Sequence, residues 1–164
     1  MTKPLRRGLT ALSALLIMLT GIVAATPAIS SAAQPTQSVL RNIRTGLHTG
    51  FDRIVVDLDG PAPGATYRWS DELTADPSGE VVWLTGEFFL TVAMNPAIAH
   101  DASGNPTWFF PEKFRTRDLH NVMAIAVIGD FEGYVSIGLG TRFQSWVRIS
   151  TLTSPTRVVI DVGN

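Results

Sequence analysis

The 164-residue sequence contains no cysteine, which excludes structural disulfides, thiolate metal ligands and a lipid-modified cysteine at a processing site. Charge is sparse: Asp, Glu, Lys and Arg make up 16%, below the usual quarter for a soluble domain. Lysine is nearly missing, with Lys3 and Lys113 only. No stretch sustains a 3.6-residue apolar period, which removes helical bundles and α/β folds from consideration. What is present is a 45% hydrophobic content, concentrated near the N-terminus, so the average conceals two compositions.

The N-terminal part has the layout of a secretory signal peptide. Lys3, Arg6 and Arg7 form a positive start, Leu9 to Ala25 is apolar, and small residues run from Thr26 to Ala33. Cleavage is expected after Ala33, giving a signal peptide over 1–33 exported by the general secretory route. The other reading is an uncleaved anchor, although Thr10, Ser13, Thr20 and Gly21 interrupt a run already short for a bilayer span of roughly 20 residues. Removing 33 residues leaves 131, with 10 basic and 14 acidic side chains and a net charge of −4. That balance weighs against nucleic acid and against an anionic membrane surface. Membrane contact is expected only through the signal segment.

Residues 34–38 read as a disordered lead-in, and 39–164 as one all-β domain. Nine short strand signals recur between Gly, Pro, Asn and Asp clusters. They are Val39–Arg44, Arg53–Leu58, Thr66–Ser70, Val81–Thr85, Phe88–Met94, Val122–Ile128, Tyr134–Leu139, Ser145–Ser150 and Arg157–Val162. About nine such strands predict a small β-sandwich of two antiparallel sheets. Residues 122–128 are apolar on both faces, as a central strand should be.

An internal pseudo-repeat gives a register. Arg53-Ile54-Val55-Val56-Asp57-Leu58 matches Arg157-Val158-Val159-Ile160-Asp161-Val162 position by position. As antiparallel neighbours the two copies would place Arg53 opposite Asp161, Val55 opposite Val159 and Asp57 opposite Arg157, with two ion pairs flanking an apolar pair.

At these strands the sequence resembles the AMIN domain family, and most closely the AMIN-like branch of secreted proteins and lipoproteins of actinobacteria. The resemblance is carried by Ile43-Arg44-Thr45-Gly46 with His48, Gly50 to Leu58, Ser78-Gly79, Leu84-Thr85-Gly86, Gly129-Asp130-Phe131-Glu132-Gly133, Ile137 to Gly140, and Pro155 to Val162. It implies a two-sheet sandwich and a non-catalytic role. AMIN domains accompany cell-wall amidases and secretins as envelope-targeting modules, acting through peptidoglycan. The 164 residues include neither an amidase nor a secretin portion and no lipobox cysteine.

Candidate chemistry is thin. His48, His100 and His120 are far apart and form no zinc motif, and no metal or other cofactor is expected. His48 lies in the turn before the first Arg strand, where it serves as a turn residue or touches a ligand. Asp101, Ser103, Asn105, Thr107 and Glu112 have calcium-loop spacing, but Pro106 stands where the turn glycine belongs, which favours an ordinary polar turn. Ser136 lacks the sequence of a nucleophile elbow, and Asp130 with Glu132 reads as a turn. No enzyme activity is expected.

The connection from Asn95 to Asn121 is the main candidate surface. Trp108, Phe109, Phe110 and Phe114 are interleaved with Lys113, Arg115 and Arg117, so that rings stack on sugars and Arg clamps carboxylates, unless the aromatics fold inward to close the sandwich. Trp146 and Arg148, sharing a face with Gln144, form a second candidate, while Trp83 has no assignable face. The expected function is a secreted, wall-associated module for peptidoglycan. The alternative is a partner protein of the envelope, bound through an edge strand or the 95–121 loop.

Overall fold

The computed structural model describes residues 36–164. The expected signal segment, 1–33, and residues 34 and 35 of the expected lead-in lie outside them. Ten strands follow in order: β1 (Ser38–His48), β2 (Phe51–Asp59), β3 (Gly64–Ser70), β4 (Phe88–Asn95), β5 (Ala97–Ile98), β6 (Lys113–Arg115), β7 (Val122–Phe131), β8 (Tyr134–Thr141), β9 (Val147–Leu152) and β10 (Arg157–Gly163). The described residues contain no helix. Sheet I has the order β5-β1-β2-β10-β9 and sheet II the order β3-β4-β8-β7-β6. Alternation dictates what lies between them. Ile54, Val56 and Leu58 of β2, Val158, Ile160 and Val162 of β10, Leu90, Val92 and Met94 of β4, and Ile137 and Leu139 of β8 form one buried core. Each large aliphatic side chain so buried contributes about 1.5–3 kcal/mol. The strand at 122–128 is central, with β8 on one side and β6 on the other.

The structure departs from expectation at four places. Val81–Thr85 is not a strand. Its apolar residues Val82 and Leu84, with Leu73, instead pack on the outer face of sheet II against Ala126, Ile128 and Phe89. Glycines on β8 make this cover possible: a Cβ on Gly138 would lie 2.5 Å from Leu73 Cδ2. The 95–121 connection is also not structureless, since β5 and β6 occur within it. Sheet I is not wholly antiparallel, because β5 runs parallel to β1 at Ser38 and Val39. Finally, the lead-in is shorter than expected, with Ser38 already in β1.

The pseudo-repeat register is as expected. Strands β2 and β10 are antiparallel neighbours, with Arg53 opposite Asp161, Val55 opposite Val159 and Asp57 opposite Arg157.

Candidate functional site: the bare face of sheet I

Register partners share a face, so the outer side of sheet I can be read strand by strand. A two-residue turn, Thr49-Gly50, sets His48 opposite Phe51, and their rings stack at 4.7 Å with only 4° between planes. Trp146, just before β9, tilts against Phe51 at 6.1 Å. Gly163 of β10 makes the room, since a Cβ there would meet the indole Nε1 at 2.5 Å. The indole is still 50% exposed. The three rings form a short aromatic strip along one end of the sheet. Each such contact adds about 0.5–1.5 kcal/mol beyond the area it buries.

Arginines frame the strip. Arg53 lies over the Phe51 ring at 5.2 Å and Arg148 over Trp146 at 5.7 Å, each a cation–π contact. Both are fixed by Asp161, whose side chain is only 4% exposed. Arg53 donates from Nε and Nη2 at 2.7 and 2.9 Å, and Arg148 from Nη2 at 3.0 Å. Those hydrogen bonds, Arg53's first, hold the Asp161 carboxyl below the usual carboxylate range against a burial that pushes it up. Arg53 thus spends its fork on Asp161. Arg148 spends one N–H, and its side chain is 64% exposed, which leaves donors for a ligand carboxylate.

The second ion pair of the repeat forms differently from expectation. Asp57 accepts both of its bonds, at 2.7 Å, from Arg44 of β1, while Arg157 donates to the Pro155 carbonyl at 3.2 Å. Strand β1 flanks β2 along its length and offers a long arginine diagonal to Asp57. Arg157 opens β10 and bends back to its own turn.

Beneath the strip, Asp52 points inward. Its carboxylate accepts from the backbone N–H groups of His120, Asn121 and Val122 at 3.1, 2.6 and 2.8 Å, and from Asn164 Nδ2 at 2.7 Å. Burial alone would push this carboxyl up, yet the four bonds hold it below the usual range. Asn121 completes the anchor by donating to the Gly163 carbonyl and accepting from the N–H groups of Arg142 and Phe143. The strip is therefore mounted on a rigid floor that ties sheet I to the start of β7.

The sequence candidates separate into two groups. His48, Trp146 and Arg148 come together with Arg53 and Asp161. The residues of the 95–121 connection do not join them: Trp108, Phe110 and Phe114 pack on the core, whereas Phe109 is fully exposed. Lys113 and Arg115 are exposed on β6, and Arg117 follows it. His100 Nδ1 lies 2.5 Å from Asp130 Oδ2, so Asp130 faces a histidine rather than Glu132. Asp101 accepts the N–H groups of Ser103 and Asn105, an ordinary polar turn. No group of three or more His, Asp or Glu able to hold a metal ion occurs among the described residues.

Sequence reasoning missed Phe51, Asp52 and Arg142, and left Trp83 without an assigned face. For Phe51 a signal existed, because a two-residue turn between His48 and Phe51 forces the two rings onto one face. Trp83 is 85% exposed and stands at the edge of sheet II.

The profile of the AMIN-like domain matches residues 38–164. No curated protein and no solved structure matches the chain.

Proposed function

The chain belongs to the AMIN-like domain family, and from that premise we propose that it is a non-catalytic, secreted, cell-envelope binding module that takes peptidoglycan on the bare face of sheet I. The family's envelope character supports the compartment. The observation that carries the ligand class is the exposed His48, Phe51 and Trp146 strip framed by Arg53 and Arg148. The half-exposed Trp146 indole, held by Phe51 and His48 behind it, offers an apolar plane to the apolar face of a sugar, and the free donors of Arg148 suit the carboxylates of muramyl groups and stem peptides. Binding here needs no moving part, because the rings are already stacked and the arginines already held, so little ordering entropy opposes it.

The test is co-sedimentation of the purified protein with insoluble peptidoglycan, alongside Trp146→Ala and Arg148→Gln variants. Saturable pelleting that weakens at least tenfold in Trp146→Ala and several-fold in Arg148→Gln is expected. Failure of the parent to pellet, or pelleting of Trp146→Ala equal to the parent's, sinks the reading.

One observation favours a second reading, a protein partner. Strand β5 covers β1 only at Ser38 and Val39, so the edge of β1 from Asn42 to His48 has no strand beside it among the described residues. The fully exposed Phe109 lines a groove there with Arg41 and Asn42. An added partner strand would satisfy that edge. Replacing Thr45, whose N–H points away from β2 in this register, by Pro should abolish such binding and leave peptidoglycan pelleting intact.

A further inference from the structure

At the far edge of sheet II the sequence and the fold gather cations that form no ion pair among the described residues. Lys113 and Arg115 of β6 pair in register with Ala126 and Ala124 of β7, so both rise from the outer face over a floor of alanines, while Phe114 between them packs on the core. Arg117 and Arg142 stand nearby. Arg115, Arg117 and Arg142 line a cleft of about 610 Å³, and Arg115 is shared with an adjoining cleft of about 230 Å³ that also takes in Lys113 and Trp83. Neither lining contains an Asp or Glu. Among the described residues none of the four cations lies within salt-bridge distance of a carboxylate, although the exposed Glu112 and Asp118 adjoin them in sequence. Arg142 is steadied by donating from Nε to the His120 carbonyl at 2.8 Å, which leaves its terminal N–H groups clear.

Four like charges side by side repel one another, and an anion relieves that repulsion. The two clefts meet at Arg115, so the charges form a row rather than a single cup. Lys113 and Arg115 are two residues apart on a strand, about 6.6 Å at roughly 3.3 Å per residue. Two residues of extended chain span six covalent bonds. A P–O–C–C–C–O–P repeat also spans six, so successive phosphates of a three-carbon polyol phosphate polymer recur at nearly the spacing of these cations.

We propose that the row Lys113, Arg115, Arg117 and Arg142, with Trp83 beside it, binds a linear polyol phosphate polymer of the cell envelope. A nucleic acid has the same backbone repeat. The envelope reading selects the polyol, and the choice of polymer rests on that reading while the phosphate row does not.

The experiment titrates the purified protein with a synthetic glycerol phosphate oligomer of about six units across a salt series, by calorimetry. Each phosphate contact contributes a slope of about 0.7 in log K against log salt for a single-stranded polyanion, so four contacts give about −3. In an Arg115→Gln/Arg117→Gln variant the slope should fall to about −1.5 and the affinity at least tenfold, with the thermal midpoint not lowered because both side chains are exposed. A Lys113→Gln variant gives an independent loss of about 0.7 in slope. Absence of binding at low salt, or a slope unchanged in the double variant, overturns the proposal. Inorganic phosphate binding as tightly as the oligomer overturns the row, and an oligothymidylate of equal charge binding tenfold tighter through Trp83 assigns the site to nucleic acid instead. Peptidoglycan stripped of phosphate polymers should pellet the double variant as well as the parent, so failure here is separable from failure of the sheet I site.

Discussion

The bare face of sheet I and the edge of sheet II both present arginines, with opposite outcomes. On sheet I the guanidinium groups are paired within the protein: Arg44 with Asp57 and Arg53 with Asp161, while Arg148 is tied to Asp161 by a single N–H. At the edge of sheet II, Lys113 and Arg115 face alanines across the ladder and form no ion pair among the described residues. Cross-strand register decides between the two. Where a strand carries Arg and Asp four residues apart, an antiparallel copy places the opposite sign at each position, and the one such pair that forms, Arg53–Asp161, holds Arg53 over the Phe51 ring. Where the neighbouring strand offers only small apolar residues, the field stays open to a ligand.

This contrast can be broken from below. Asp52→Ala leaves three backbone N–H groups without their acceptor at the join of the two sheets, and should cost about 3–4 kcal/mol. Both regions should then unfold in one transition at lower urea, and separate transitions for the two would refute a shared floor. Acid acts on the same groups. Asp52 and Asp161 are both held below their unfolded values, so their contribution is present above about pH 4 and is lost as pH falls through the lower folded values. A urea midpoint measured from pH 6 to pH 2 should drop steeply, and the Asp52→Ala variant should drop less.

A sharper cut is Asp161→Ala. It frees Arg53 and Arg148 together, should cost about 2 kcal/mol, and should abolish peptidoglycan pelleting while leaving the salt slope of phosphate-oligomer binding untouched. The smallest stability effect belongs to the other region. Arg115→Gln/Arg117→Gln should move stability by no more than about 0.5 kcal/mol, and in the stabilising direction at low salt, where the repulsion is least screened. A loss above 1 kcal/mol would mean that these side chains have partners inside the protein after all.

The all-β class, the sandwich and the β2–β10 register were legible because alternation and opposite charge are local signals with one geometric solution. Other features depended on which surface an apolar residue meets. Val82 and Leu84 alternate as a strand would, yet they bury against an outer face that Gly138 leaves bare. Trp108 and Phe110 offered the same chemistry as Trp146, and only the fold turns the first two inward and leaves the third on a sheet. Asp57 had two arginines within reach, and the strand order favoured Arg44. Strand β6 went unseen because three residues, two of them charged, carry almost no periodic signal. Asp52 gave none, since its partners are backbone groups about 70 residues away.

The cover that Leu73, Val82 and Leu84 form over sheet II makes the domain a one-sided object. A sandwich with two bare faces could bridge two strands of a meshwork and act as a crosslinker. With one face closed, a copy that binds the wall as proposed would grip it through a single sheet, and tighter hold would come from a second foothold on the same copy. A platform on one sheet and a charged row at the edge of the other would supply it, each raising the effective concentration of the other's ligand. The domain would then settle where glycan and phosphate polymer run side by side, and dissociate wherever either is stripped away.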